Sequence, residues 1–101
     1  MEVILIRHGI TQGNKEKRFV GRLDVPLAPE GEEMARETAP LLPSVDRLYV
    51  SPMLRCRQTA GLLWPGMEQT VIDDLRETDF GPFEGKNHEE LRDDPMYQRW
   101  L

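Results

Sequence analysis

The apolar positions outline three short strands and the helices between them. Val3-Ile4-Leu5-Ile6 is an unbroken apolar run with three β-branched residues among hydrophobic neighbours, the pattern of a strand buried on both faces. Val45, Leu48, Tyr49 and Val50 mark a second buried strand, and Thr70-Val71-Ile72 a short third. A helix should begin at about Pro29, with proline in its favoured first position and Glu30, Glu32 and Glu33 complementing the dipole. Ala28 is a poor cap for it, about 1 kcal/mol worse than Ser or Thr. Met34, Ala35, Thr38, Ala39 and Leu42 recur at helical spacing and predict a core stripe rather than a site, and Pro40 should end the helix near Thr38.

Ser51-Pro52 reads as a hydroxyl cap followed by proline, opening a helix that carries Met53, Leu54, Cys56, Thr59, Ala60, Leu62 and Leu63 and stops before Pro65-Gly66. Lys15 to Arg22 predicts a short helical turn and then a loop closed by Gly21, and Pro26 keeps Val25 extended. Phe80 to Gly85 is turn-rich, with two phenylalanines that can anchor a loop. A last helix runs from about Asn87 to Arg92, broken by Pro95. Strand, helix, strand, helix, strand is the α/β pattern; three short strands make a narrow sheet, incomplete at the C-terminal end.

Length and charge narrow this picture. At 101 residues the chain is one domain at most. Cys56 is the single cysteine, which rules out an intrachain disulfide and suits a reducing compartment. The four apolar residues after Met1-Glu2 are too few for a signal peptide or a membrane span, so a cytoplasmic protein is expected. A net charge of -5 argues against a nucleic-acid partner. Residues 1–60 hold nine basic and eight acidic residues (+1), and residues 61–101 hold four and ten (-6). The anion-attracting groups therefore lie early, which fits a small phosphorylated ligand better than a polyanion.

The candidate chemistry starts where the first apolar run ends, at Arg7-His8-Gly9. A cation and an imidazole at the carboxyl end of a strand sit where open α/β sheets bind ligands. Gly9 permits close backbone approach, and Thr11 and Asn14 add short polar groups, Asn14 in or beside a first helical turn. The result is a phosphate-sized anion pocket with an imidazole at its floor. Arg18 and Arg22 either extend this field or are solvated. Arg55 and Arg57 lie early in their helix, against the dipole, so a nearby anion would compensate them; the alternative is pairing with surface carboxylates. Glu77 follows a strand-to-loop transition, where catalytic groups are often carried. Other phosphate chemistries fit poorly. Cys56 is followed six residues on by Leu62 rather than by the arginine of a thiol phosphatase, two histidines and one cysteine do not cluster as zinc ligands, and no Gly-Lys-Ser/Thr loop is present.

Four stretches taken together carry a resemblance: Arg7-His8-Gly9-Ile10-Thr11 with Asn14; Leu27-Ala28-Pro29-Glu30-Gly31; Ser51-Pro52-Met53-Leu54-Arg55-Cys56-Arg57-Gln58-Thr59-Ala60; and Leu75-Arg76-Glu77 with Phe80-Gly81-Pro82-Phe83-Glu84-Gly85. In this order and spacing the chain resembles the histidine phosphatase superfamily, in its phosphoglycerate-mutase-like branch, over essentially all its length. The resemblance implies a three-layer α/β/α sandwich with a mostly parallel sheet. It implies that residues 1–101 form the N-terminal part of a single domain, because full-length members are about twice as long. It matches His8 to the nucleophile, Arg7 and Arg55 to the arginines that hold the phosphoryl oxygens, Asn14 to a further phosphate contact and Glu77 to the acid that protonates the leaving oxygen. Gly9, Thr11 and Gly21 complete the candidate phosphate-binding set. Neither metal nor cofactor is implied, and a carboxyl acid of this kind works best when burial raises its pKa.

The Glu77 to Gly85 loop looks like the phosphatase-type version found in α-ribazole phosphatase-like enzymes, whereas mutases usually carry a histidine and a tyrosine after the glutamate. A phosphomonoester hydrolase is therefore expected, with a mutase-type phosphotransferase or a phosphate-binding module without turnover as alternatives. One departure stands out. The family's second pocket histidine is followed by glycine at the end of a later strand. His88 is followed by Glu89 and opens a polar helix, so it reads as a surface histidine. A sheet lacking its later strands leaves an apolar edge, which predicts self-association.

Overall fold

Two parallel strands, β1 (Tyr49–Val50) and β2 (Thr70–Val71), form the only sheet in the computed structural model, which describes all 101 residues. Tyr49 pairs with Thr70 and Val50 with Val71. The ladder reaches one residue beyond each strand, since Thr70 N–H donates to the Leu48 carbonyl at 2.9 Å and Ile72 N–H to the Val50 carbonyl at 2.8 Å. Parallel strands need a crossover. Here it is α3 (Leu54–Leu63), which packs on α2 (Pro29–Thr38). The α/β class read from the sequence is thus present, with two of its three strands.

The first strand is a correction. Residues 1–10 form no strand, and Val3 and Leu5 are 70% and 92% exposed rather than buried. β propensity does not make a ladder without a partner; β2 takes one edge of β1, and no segment of the chain pairs with residues 3–6. What the structure does fix is the end of that run. Ala28 N–H donates to the Ile10 carbonyl at 2.9 Å, and Thr11 bridges antiparallel to Leu27.

The helix boundaries follow their local signals, with instructive shifts. α2 starts at Pro29 and ends at Thr38, where Pro40 turns the chain into a 3-10 turn over Ala39–Leu41. The first helical turn, α1 (Gln12–Lys15), comes earlier than expected because Thr11 caps it. Ser51 does not cap α3. The helix begins at Leu54, and the cap comes from a distant residue, with Asp24 Oδ1 accepting from Leu54 N–H at 2.6 Å. α4 (His88–Leu91) carries a reciprocal Asn87–Glu90 capping box. Pro95 does more than interrupt a helix: with Asp94 as its cap it opens another, α5 (Pro95–Trp100).

Only 17 of 101 residues are buried, so the core is thin and each packed side chain counts. One cluster joins Leu48, Val50 and Ala60, backed by Trp64 and Met67. The other joins Phe83, Leu91 and Tyr97, with Phe19 and Phe80 against it. The Cα radius of gyration is 15.5 Å, above the roughly 13 Å of a compact domain of 100 residues. Leu91 is 2% exposed at the centre of the second cluster. Leu91→Ala should therefore cost about 2–5 kcal/mol in urea unfolding; a loss below about 1 kcal/mol would show that the cluster closes over the gap.

Candidate active site

His8 sits half-buried at the end of the N-terminal segment, and its tautomer is set by the next residue. Its Nδ1 lies 2.6 Å from the Gly9 carbonyl oxygen. A carbonyl only accepts, so Nδ1 carries the proton and Nε2 keeps its lone pair. Burial lowers the imidazole pKa below the ordinary histidine value; the Gly9 carbonyl opposes this, the charges of Arg55 and Arg7 reinforce it, and Glu77 opposes it weakly. The net effect favours a neutral ring with a free nucleophilic nitrogen.

The backbone around His8 is clamped. Gly9 N–H donates to Thr59 Oγ1 at 3.0 Å, and the same hydroxyl donates to the Arg55 carbonyl at 2.8 Å, so α3 holds the histidine segment directly. On the other side, a side chain at Gly31 would collide with Ile10, whose carbonyl oxygen lies 2.3 Å from where a Cβ would stand. Only glycine lets α2 approach this closely.

A cavity of about 360 Å³ opens beside His8. Arg7, Gly9 and Asn14 share its lining with His8, while Thr11, Gly21, Arg55 and Glu77 lie outside it. Arg7 is exposed and makes no ion pair or hydrogen bond, which leaves its whole guanidinium available beside the imidazole. Thr11 is fully buried, its hydroxyl accepting from Asn14 N–H at 3.1 Å while Asn14 Oδ1 accepts from Thr11 N–H at 3.0 Å. Asn14 therefore has its amide nitrogen left to donate. The stripe expected to be core is a correction in part: Ala35 is buried, while Met34 and Thr38, which line the cavity with it, are exposed, Met34 at 53%. The helical spacing is right, but the face meets the bare backbone of residues 6–10 rather than a packed layer.

Arg55 is the most unusual group. It is 1% exposed and has no carboxylate partner. Its Nη1 donates to the Leu23 carbonyl at 2.9 Å, its Nη2 to those of Gly21 at 2.8 Å and Val20 at 3.4 Å, and its buried Nε has no partner. Pairing with surface carboxylates is thereby ruled out. Arg18, by contrast, is committed to Glu16 and Glu90, and Arg22 Nε donates to the Glu77 carbonyl at 2.9 Å. Glu77 is exposed, its carboxylate accepting only from Thr78 N–H at 2.9 Å, so the burial that favours a carboxyl acid is absent there; the turn that carries it runs along the surface. His88 opens α4, and its Nδ1 lies 2.9 Å from the Tyr97 hydroxyl, packed on the second cluster. No three His, Cys, Asp or Glu side chains are grouped to hold a metal ion, and no helix is long and apolar enough to cross a membrane.

Thr59, Asp24 and Glu84 carry structural duties here that no motif reading assigned. Thr59 lies four residues after Arg55 on one helix face, a spacing that could have revealed it. Asp24 and Glu84 act across the chain and had no local signal.

An imidazole with a free Nε2 and an unpaired arginine thus line one cavity on an α/β scaffold, with a second, buried arginine outside it. Residues 3–101 match the histidine phosphatase superfamily (branch 1), and the chain belongs to that family. It is 36% identical over 92 residues to an uncharacterized phosphatase of Bacillus subtilis, PhoE, covering 87% of this chain and 48% of that protein. A phosphoserine phosphatase from Entamoeba histolytica, solved with 3-phosphoglyceric acid, superposes with a TM-score of 0.82 at 34% identity, covering 93% of this chain and 48% of the other. The α-ribazole phosphatase of Shigella flexneri superposes with a TM-score of 0.86 at 32% identity, covering 94% and 50%. The relatives also include 2,3-bisphosphoglycerate-dependent phosphoglycerate mutases. The chain spans about half the length of these proteins and corresponds to their N-terminal half.

The titration of His8 follows from its surroundings. Its unfolded imidazole takes up a proton at higher pH than the folded one. Its contribution to stability is therefore present above the ordinary histidine pKa and is lost as pH falls through the folded value. In a proton NMR titration His8 should reach its midpoint below 6.5; a midpoint above that would contradict the buried, cation-flanked setting.

Proposed function

We propose that the protein is a phosphomonoester hydrolase that works through a phosphohistidine on His8. The observation that carries this is the His8 ring itself, its Nδ1 engaged by Gly9 and its Nε2 unengaged beside an unpaired Arg7. In this reading Nε2 attacks the phosphorus and the phosphorus–oxygen ester bond breaks. The leaving oxygen takes its proton from the Glu77 carboxyl group. Water then attacks the phosphorus, gives its proton back to Glu77, and the phosphorus–nitrogen bond breaks to release phosphate. Splitting one hard displacement into two is the gain from a covalent nucleophile. Arg7 and Arg55 stabilise the charge on the phosphoryl oxygens, with Gly9, Thr11, Asn14 and Gly21 shaping the phosphate site.

The reading treats residues 1–101 as part of one domain, needs no metal, and takes a small phosphorylated metabolite as substrate. The ligands of the Entamoeba structures, 3-phosphoglyceric acid and phosphoserine, are molecules of that size and charge. A cytoplasmic location fits both such a substrate and a lone reduced thiol at Cys56. The mutase relatives support a second reading, in which the phosphoryl group returns to substrate instead of passing to water.

Hydrolysis of p-nitrophenyl phosphate in EDTA tests the proposal. Turnover should vanish in His8→Ala and fall by about 10²–10⁴-fold in Glu77→Gln. Turnover that survives His8→Ala would overturn the phosphohistidine route; phosphate binding with no turnover in the parent chain would leave a binding module. The exposed Val3, Ile4, Leu5 and Ile6 support self-association; a clean monomer on gel filtration at about 10 μM, where a stable interface of ordinary size would hold, would oppose it.

A further inference from the structure

We infer that Glu84 is a positioning residue for Arg55, acting through the peptide groups of residues 20–22; the inference rests on Arg55 being a phosphoryl-holding group. A buried guanidinium with no anion in contact is costly, and that cost must be offset nearby. The carbonyls that receive Arg55 show where. The peptide group that presents the Val20 carbonyl to Nη2 also contains Gly21 N–H, which donates to Glu84 Oε2 at 3.1 Å. The next peptide group presents the Gly21 carbonyl to Nη2 and contains Arg22 N–H, which donates to Glu84 Oε1 at 2.5 Å. Two consecutive peptide groups therefore lie between a cation and an anion, each accepting from one and donating to the other. Hydrogen bonds in such a chain polarise and strengthen one another.

Three further features show that the arrangement is built. Gly21 has no room for a side chain, since a Cβ would stand 1.9 Å from the Thr78 carbonyl and 2.7 Å from Glu84 Oε1. Phe80 N–H adds a third donor to Glu84 at 3.3 Å, which ties the carboxylate to its own loop. Burial alone would raise the Glu84 pKa, but the amides of Arg22, Gly21, Phe80 and Leu23 outweigh it and keep the group ionised. With Nη1 and Nη2 held by carbonyls, the buried Nε–H is left unpaired in a fixed direction.

The test is a double-mutant cycle between Glu84→Gln and Arg55→Met, read in urea unfolding and in calorimetric titration with inorganic phosphate. Glu84→Gln should lower the folding equilibrium constant about tenfold more in the parent than in the Arg55→Met background, where no cation is left to compensate. It should weaken phosphate binding in the parent and leave the residual binding of Arg55→Met unchanged. Folding of the double variant where Glu84→Gln alone fails to fold would be the same result in extreme form. Equal costs in both backgrounds, or a double variant that unfolds while Arg55→Met folds, would overturn the inference. Coupling in the unfolding cycle with phosphate binding indifferent to Arg55 would uphold the Glu84–Arg55 link and refute the phosphoryl-holding role instead.

Discussion

A positive charge taken almost wholly out of water constrains much of this structure. Arg55 stands on the first turn of α3, where the helix dipole disfavours it, and no carboxylate touches it. Three carbonyls of the segment from Val20 to Leu23 surround its guanidinium instead. That segment can serve only if it is held, and it is held from both sides. Asp24 at its end caps α3, and Glu84 receives the amides whose carbonyls face the arginine. Helix, loop and distal turn are thus joined around one buried cation.

The same helix also holds the histidine segment. Thr59, one turn beyond Arg55, gives its hydroxyl proton to the Arg55 carbonyl and accepts from Gly9 N–H. The arginine and the histidine segment are therefore referred to a single rigid element, although 47 positions of sequence separate His8 from Arg55. Catalytic groups need placement within fractions of an ångström, and regular elements give it more reliably than loops do.

Much of this was legible in the chain itself. α2 has the boundaries its proline and acidic turn dictate, and the second and third apolar runs pair as parallel strands. Arg7, His8 and Asn14 come together as their motif suggests. What failed was whatever depended on partners far along the chain. Val3 to Ile6 has strand composition, but nothing in these 101 residues pairs with it. Ser51 is a good cap by composition, yet Asp24 takes the position by reaching across from another loop. Glu77 sits on an exposed turn, and no local pattern encodes whether a turn will be covered. Met34 and Thr38 have helical periodicity, which identifies a face but does not say whether that face meets a packed layer or a cavity.

The contact between Gly31 and Ile10 separates two structural tasks of α2. Main chain meets main chain there, so the depth at which the histidine segment rests on α2 is set without any side chain from that helix. The cavity wall is contributed farther along the same helix, by Met34, Ala35 and Thr38. Anchoring and wall thus occupy different positions of one element. Exchanges at 34, 35 and 38 can enlarge, narrow or recharge the cavity while the backbone of the histidine segment stays where it is. The shape of the cavity and the position of the histidine segment are thus set independently, and a single missing methyl group at Gly31 allows it.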